Sequence, residues 1–150
     1  MNYWLMKSEP DAFSIDDLKR KKQEAWDGVR NYQARNFMRD GMRIGDKVFF
    51  YHSNCAVPGI VGIAEVATEA YPDPSQFDPK SHYFDPASTR DKPRWMLVEL
   101  KFMKKLKRTI SLDELKNEPA LEGMPLVRKG NRLSVMPVEA VHWRHILALE

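Results

Sequence analysis

One cysteine, Cys55, stands among the 150 residues, so no disulfide can form within the chain. A fold that forgoes disulfides suits a reducing compartment, and the expected location is cytoplasmic. No apolar run approaches the roughly 18 residues that cross a bilayer, which removes a membrane partner from the expectations. Lys7 and Glu9 follow the start almost at once, and no apolar leader segment precedes them. Histidine is scarce, at four residues, and only His142 and His145 share a helical spacing. Two imidazoles without a further ligand cluster make an ordinary helix face, so neither a metal nor a cofactor is expected. Gly59 and Gly62 lack the lysine and flanking pattern of a phosphate-cradling loop. Repeats and low-complexity linkers are also missing, which leaves a single domain over residues 1–150.

What is present suits a soluble globular chain. Hydrophobic residues make up 43% and charged residues 30%, enough apolar matter for one core under a charged surface. A net charge of +3 and a pI near 9.0 permit a phosphate-bearing partner without requiring one. The aromatic start Asn2–Met6 predicts a strand, and Ser14 with Asp17 predicts a capped helix through about Arg20. Asn31 predicts the cap of a second helix that Gly41 ends. Strands are expected over 47–51, 59–66, 95–102 and 132–135, and Ser111 with Glu114 predicts a capping box for a helix over 112–116. Pro137 suits the first turn of a last helix with Val141, Ile146 and Leu149 inward. Between Tyr71 and Arg94 stand five prolines of the ten, with Tyr71, Phe77, Tyr83 and Phe84, which predicts an ordered flap without regular structure.

The richest segment is Trp26–Asn36, where aromatic, cationic and amide side chains interleave at a turn entering a helix. A base can stack on an aromatic face, arginine can meet phosphate, and an amide can read a base edge. The competing reading makes Trp26 core and the arginines solvated. Tyr51-His52-Ser53-Asn54 puts four hydrogen-bonding side chains at a strand end, where a plain polar turn competes with a ligand site. Lys7 and Glu9 share one side of a strand and could serve base chemistry, with a surface ion pair as the rival. The run Lys101, Lys104, Lys105, Lys107 and Arg108 could follow a nucleic-acid backbone or protect a solvated edge.

Taken in order, Trp4–Pro10, Trp26–Met38, Gly45–Asn54, Gly59–Gly62, Tyr71–Pro74, Tyr83–Pro86, Pro93–Trp95 and Arg132–Val135 resemble the EVE domain family over almost the whole chain. The resemblance implies an α+β fold, a PUA-like small distorted β-barrel flanked by helices and related to ASCH and YTH domains. It implies a nucleic-acid partner, DNA or RNA carrying a modified base, with modified cytosine in DNA foremost, and a non-catalytic reader acting as a monomer. It also implies a stand-alone prokaryotic-type member. Ser8, Trp26, Val29, Arg30, Asn31, Tyr32, Ser53 and Asn54 fall on its pocket motif, with Tyr83 and Trp95 as further walls. Arg30 and Arg35 would meet phosphate. Trp26 is then expected in a pocket and outside the core. The alternative is a small hydrolase acting on a modified nucleoside, as in some ASCH relatives, which needs Lys7 or Glu9 in the same pocket as Trp26.

Overall fold

Apolar runs and caps place the elements close to where the sequence puts them. In this computed structural model, which describes residues 1–150, the chain runs β1 (Tyr3–Ser8), α1 (Ile15–Lys21), β2 (Gln23–Ala25), α2 (Tyr32–Asn36), β3 (Lys47–His52) and β4 (Gly59–Val66). It continues through β5 (Tyr71–Pro72), β6 (Met96–Leu97), β7 (Glu99–Ser111), α3 (Leu112–Lys116), β8 (Val135–Val138) and α4 (Ala140–Leu149). Six strands form one mixed sheet in the order β2-β7-β4-β3-β1-β8, curled into a half-barrel with the helices around it. β1 and β3 run parallel, and β5 pairs with β6 as a separate ribbon.

Both sheet faces are covered. Strand alternation sends Trp4, Met6, Val48 and Phe50 to one face, where Ile15 and Leu18 of α1, Trp26 and Met38 join them. Leu5, Phe49, Tyr51 and Ile60 face the other way, against Leu115, Trp143 and Ile146 from α3 and α4. The Trp143 ring stacks on Phe49 at 3.8 Å between centroids. A bulge at Ile60–Gly62 bends the sheet, and a Cβ on Gly62 would sit 2.4 Å from Ile15 Cδ1. That glycine is what allows α1 to lie on the sheet.

The N-terminal side of α1 shows why its helix starts where it does. Ser14 and Asp17 cap it reciprocally, and Ile15 N–H donates to His52 Nε2 at 3.1 Å. Asn31 Oδ1 accepts from Ala34 N–H at 3.0 Å, and α2 passes into a wider π turn over Phe37–Gly41.

Several expectations need correction. The strand expected over 95–102 is two: β6 ends at Leu97, and β7 begins at Glu99 and carries the basic run to Ser111. β2 has no apolar pattern and exists because β7 offers it a partner. Pro137 stands in β8 rather than in a helix; β8 is an edge strand, where a missing N–H is tolerated. The last helix therefore starts at Ala140, and its stripe rotates to His142, Trp143 and Ile146, leaving Val141 56% exposed. Ser111 accepts from Glu114 N–H at 3.1 Å, but the Glu114 carboxylate turns to Arg108, so only half of the capping box forms.

The proline-rich segment is ordered, and by polar groups more than by its aromatics. Tyr83 and Phe84 remain exposed, while Asp73, Gln76 and Ser88 are buried. Gln76 Nε2 donates to the carbonyls of Asp73 and Trp95, and its Oε1 accepts from Ser88 Oγ and Trp95 N–H. Asp73 accepts from Gly28 N–H at 2.8 Å, Ser75 N–H at 2.8 Å, Ser75 Oγ at 2.5 Å and Arg30 Nη1 at 3.1 Å. Removing a carboxylate so placed leaves buried donors without partners. Asp73→Ala should lose about 3 kcal/mol of stability, read from the midpoint of chemical denaturation; a midpoint within error of the parent would show the flap is held some other way.

Candidate nucleic-acid interface

A concave cavity of ≈ 510 Å³ opens where the end of β1, the turn after β2 and the flap meet. Lys7, Ser8 and Glu9 line it from the first, Trp26–Arg30 from the second, and Tyr83 from the third. Phe13 forms part of the wall, its ring edge-on to Trp26 at 6.2 Å, and Trp26 in turn meets Phe50 at 5.4 Å and 90°. Trp26 is 8% exposed and belongs to the core cluster. The expectation that it stands outside the core is corrected: the same indole is the inner wall of the cavity and the outer layer of the core. A pocket floored by core residues is rigid, because they cannot move without opening a void.

Gly28 explains how the flap reaches the cavity. Its φ of +81° suits glycine, and a Cβ there would stand 2.5 Å from the Tyr83 ring. Tyr83 thus lies flat against bare backbone, 43% exposed, with one side toward the opening.

The charges in and around the cavity differ in how far they are spoken for. Arg30 carries five N–H donors, and all five are used: Nε to Tyr83 O, Nη1 to Val29 O and Asp73 Oδ2, Nη2 to Ser75 Oγ and Tyr83 O. Its role here is to bind the flap down, and a phosphate would have to displace those bonds. Glu9 accepts from Asn54 Nδ2 at 2.6 Å and Glu24 pairs with Lys21 at 3.0 Å. Two charged groups remain without an ionic or hydrogen-bonding partner on another side chain. Burial lowers the Lys7 pKa, and its Nζ lies 5.6 Å from the Tyr51 ring. Burial, then the neighbouring carboxylates of Asp73 and Glu24, raises that of Asp27.

Five of the ten ligand residues expected from sequence line this cavity: Ser8, Trp26, Val29, Arg30 and Tyr83. The other five do not. Asn31 spends its amide oxygen capping α2. Tyr32 stacks on Trp95 at 4.7 Å, outside the cavity, with the Arg35 guanidinium 4.8 Å from the Tyr32 centroid. Trp95 is buried and donates from Nε1 to Asp85 at 2.8 Å. Ser53 extends the strand ladder through its N–H to Ser8 O, and Asn54 supplies turn geometry at φ +51°. Arg35 Nη1 donates to Arg94 O, so it too is partly committed within the chain. Phe13 and Asp27 line the site and were not singled out; Asp27 sits inside the Trp26 segment, where its spacing from the aromatic ring was the available signal.

Lys7 and Glu9 do share the cavity with Trp26, the placement a hydrolase needs. No hydrogen bond links either of them to Ser8, whose Oγ instead donates to Phe13 O at 2.6 Å. A hydroxyl tied to a backbone carbonyl, without a base beside it, is not an activated nucleophile.

Comparison with known proteins shows the family and the fold. The EVE domain model matches residues 2–149. Thymocyte nuclear protein 1 of Mus musculus is 46% identical over 168 aligned residues, spanning 99% of this chain and 74% of that protein. A crystal structure of a Pseudomonas syringae protein has a TM-score of 0.95 at 55% identity and covers 98% of each chain. Human THYN1, solved in complex with 5-methylcytosine-containing DNA, has a TM-score of 0.91 at 43% identity, covering 99% of this chain and 97% of that one. A YTH domain from Zygosaccharomyces rouxii, at 13% identity and a TM-score of 0.54, shares the fold alone. The chain belongs to the EVE domain family.

Proposed function

We propose that this protein is a non-catalytic reader of a modified base in nucleic acid, with modified cytosine in DNA as its preferred ligand. The observation that carries the reading is the cavity itself: an indole, a phenyl and a phenol ring around an unpaired carboxylate, in a fold whose THYN1 member was solved with 5-methylcytosine DNA. Its volume of ≈ 510 Å³ lies in the range of small-ligand sites. The base leaves its stack at a cost of a few kcal/mol, offset by stacking against Tyr83 and Trp26 at roughly 1–3 kcal/mol per base and by hydrogen bonds to its edge. Asp27 then accepts from an exocyclic amino group, which cytosine offers and thymine lacks. Ser8, Trp26, Val29 and Tyr83 act directly at the cavity and Arg30 holds the flap that closes it; Asn31, Tyr32, Ser53, Asn54 and Trp95 support its walls from behind.

The deciding experiment is a binding panel of oligonucleotides carrying 5-methylcytosine, other cytosine and adenine modifications, or none. Equal affinity for every strand would defeat the reading. A hydrolase remains the second reading because Lys7 and Glu9 line the cavity; incubation with acyl-modified nucleosides should release no product.

Tyr83 is the clean probe of stacking, since it is 43% exposed and its ring rests on Gly28 with only the Arg30 guanidinium beside it. Tyr83→Ala should weaken binding by roughly 1–3 kcal/mol at an unchanged melting temperature. Trp26→Ala, by contrast, should cost about 3–5 kcal/mol of folding stability, because it empties a core position. Calorimetry on both variants separates the roles, and a Tyr83 variant that binds normally would remove Tyr83 from the site.

Asp27 carries a sign that can be checked. Its pKa is raised in the fold, so the ionised carboxylate works against folding at neutral pH. Asp27→Asn should therefore hold or raise the melting temperature while weakening affinity for an amino-bearing base. On acidification the parent should lose affinity above the usual carboxylate range, whereas the variant's affinity stays flat. A parent profile as flat as the variant's would exclude Asp27 from base contact.

A further inference from the structure

Cations on this surface fall into two groups. The strand-borne basic run is mostly answered within the chain: Lys101 pairs with Glu65 at 3.0 Å, Lys104 with Glu150 at 2.7 Å, Lys105 with Asp16 at 2.8 Å and Arg108 with Glu114 at 2.7 Å. A cation already facing a carboxylate offers little net field to a polyanion. A second concavity, of ≈ 590 Å³, is built differently. Lys116 from the end of α3 and Arg128 and Lys129 from the loop before β8 stand exposed on its rim, over a floor of Tyr51 and Leu126. None of these three cations has an ion-pair partner, and no acidic side chain lines the groove.

The two concavities share one residue. Lys7 lines both, from its place in β1 opposite Tyr51 in β3. Its ammonium lies over the Tyr51 ring at 5.6 Å and so stands at the partition between them. The Tyr51 phenol, pushed up to about 12 by burial, keeps its proton and stays a donor at any physiological pH.

We infer that this groove carries the sugar–phosphate backbone of the strand whose modified base enters the aromatic cavity, with Lys7 at the crossing between backbone and base. The inference rests on the base-reading role above and adds the path of the strand. Exposed cations spread along an open groove fit a linear polyanion, whereas a single anion needs donors that converge. The apolar floor suits sugar faces, which make no ionic demand. The position also leaves Arg30 free to hold the flap, and assigns the phosphates to cations without a carboxylate partner, of which Arg128 makes only one long bond, from Nη2 to Gly123 O at 3.4 Å.

The test uses the triple variant Lys116→Ala, Arg128→Ala, Lys129→Ala in the full chain; all three side chains are exposed, and none lines the aromatic cavity. Binding to single strands with and without the modified base is followed by fluorescence anisotropy between about 50 and 200 mM salt. Each lost phosphate contact lowers the slope of log affinity against log salt by about 0.7, so the slope should fall by about 2 on both strands. Binding of the free modified nucleoside should not change. A slope equal to the parent's on both strands would overturn the groove assignment, as would an equal fall in a Lys104→Ala, Lys105→Ala variant. Loss of base discrimination in the parent would defeat the reader function alone, because the unmodified strand still reports on the groove.

Discussion

The buried carboxylate of Asp73 is the constraint on which the site depends. It lies at the start of a segment with almost no regular structure, and it collects donors from Gly28, Arg30 and Ser75. Gly28 and Arg30 belong to the turn after β2, so a single side chain ties the flap to the strand end that carries Trp26. A carboxylate removed from water needs such a set, because its desolvation is offset only when its lone pairs are filled. Once it is satisfied, the rest follows: Arg30 is drawn across to Tyr83 O, and the Tyr83 ring comes to rest on Gly28. The aromatic wall of the cavity is therefore positioned by a polar network one layer below it.

That arrangement changes what Arg30 is for. From sequence it reads as a phosphate ligand, since arginine beside aromatics and amides suits nucleic acid. In the fold it is the rivet of the flap, flanked by Tyr83 at 5.4 Å and Trp95 at 5.3 Å from its guanidinium carbon. The aromatic contacts run on through Tyr32 to Arg35, which gives the outer side of the flap a stacked surface without making it part of the cavity. Arginine's planar fork lends itself to both tasks, and only the position of its acceptors tells them apart. The same holds for the basic run on β7, whose charges meet carboxylates from α1, β4, α3 and the C-terminal Glu150.

Trp26 shows a related economy of parts. An indole large enough to stack on a base is also large enough to complete a core layer, and here it packs on Phe13 and Phe50 while lining the cavity. Trp26 thus belongs to the core and the cavity at once, while Tyr83 and Asp27 line the cavity from less buried places. One side of the cavity comes from the end of β1 and the Trp26 turn, and the other from the flap.

Local chemistry determined much of this from the sequence alone. The β-rich runs at 47–51 and 59–66, the Ser14 and Asn31 caps, and the family motifs from Trp4 to Val135 point to the elements, the fold and the family, because each depends on neighbours within a few residues or on a pattern along one strand. Half of the expected site residues line the cavity, and they are those on the β1 end and the Trp26 turn, with Tyr83 from the flap. The tertiary structure decided the remainder. Which face of α4 turns inward depends on the edge strand that carries Pro137, and which cations stay free depends on carboxylates up to 89 residues away, as for Lys105 and Asp16. Whether Asn31, Trp95 or Arg30 meets a ligand depends on the partner that reaches it first. Hydrogen bonds and ion pairs act over a few ångströms in space, and sequence distance carries no record of them.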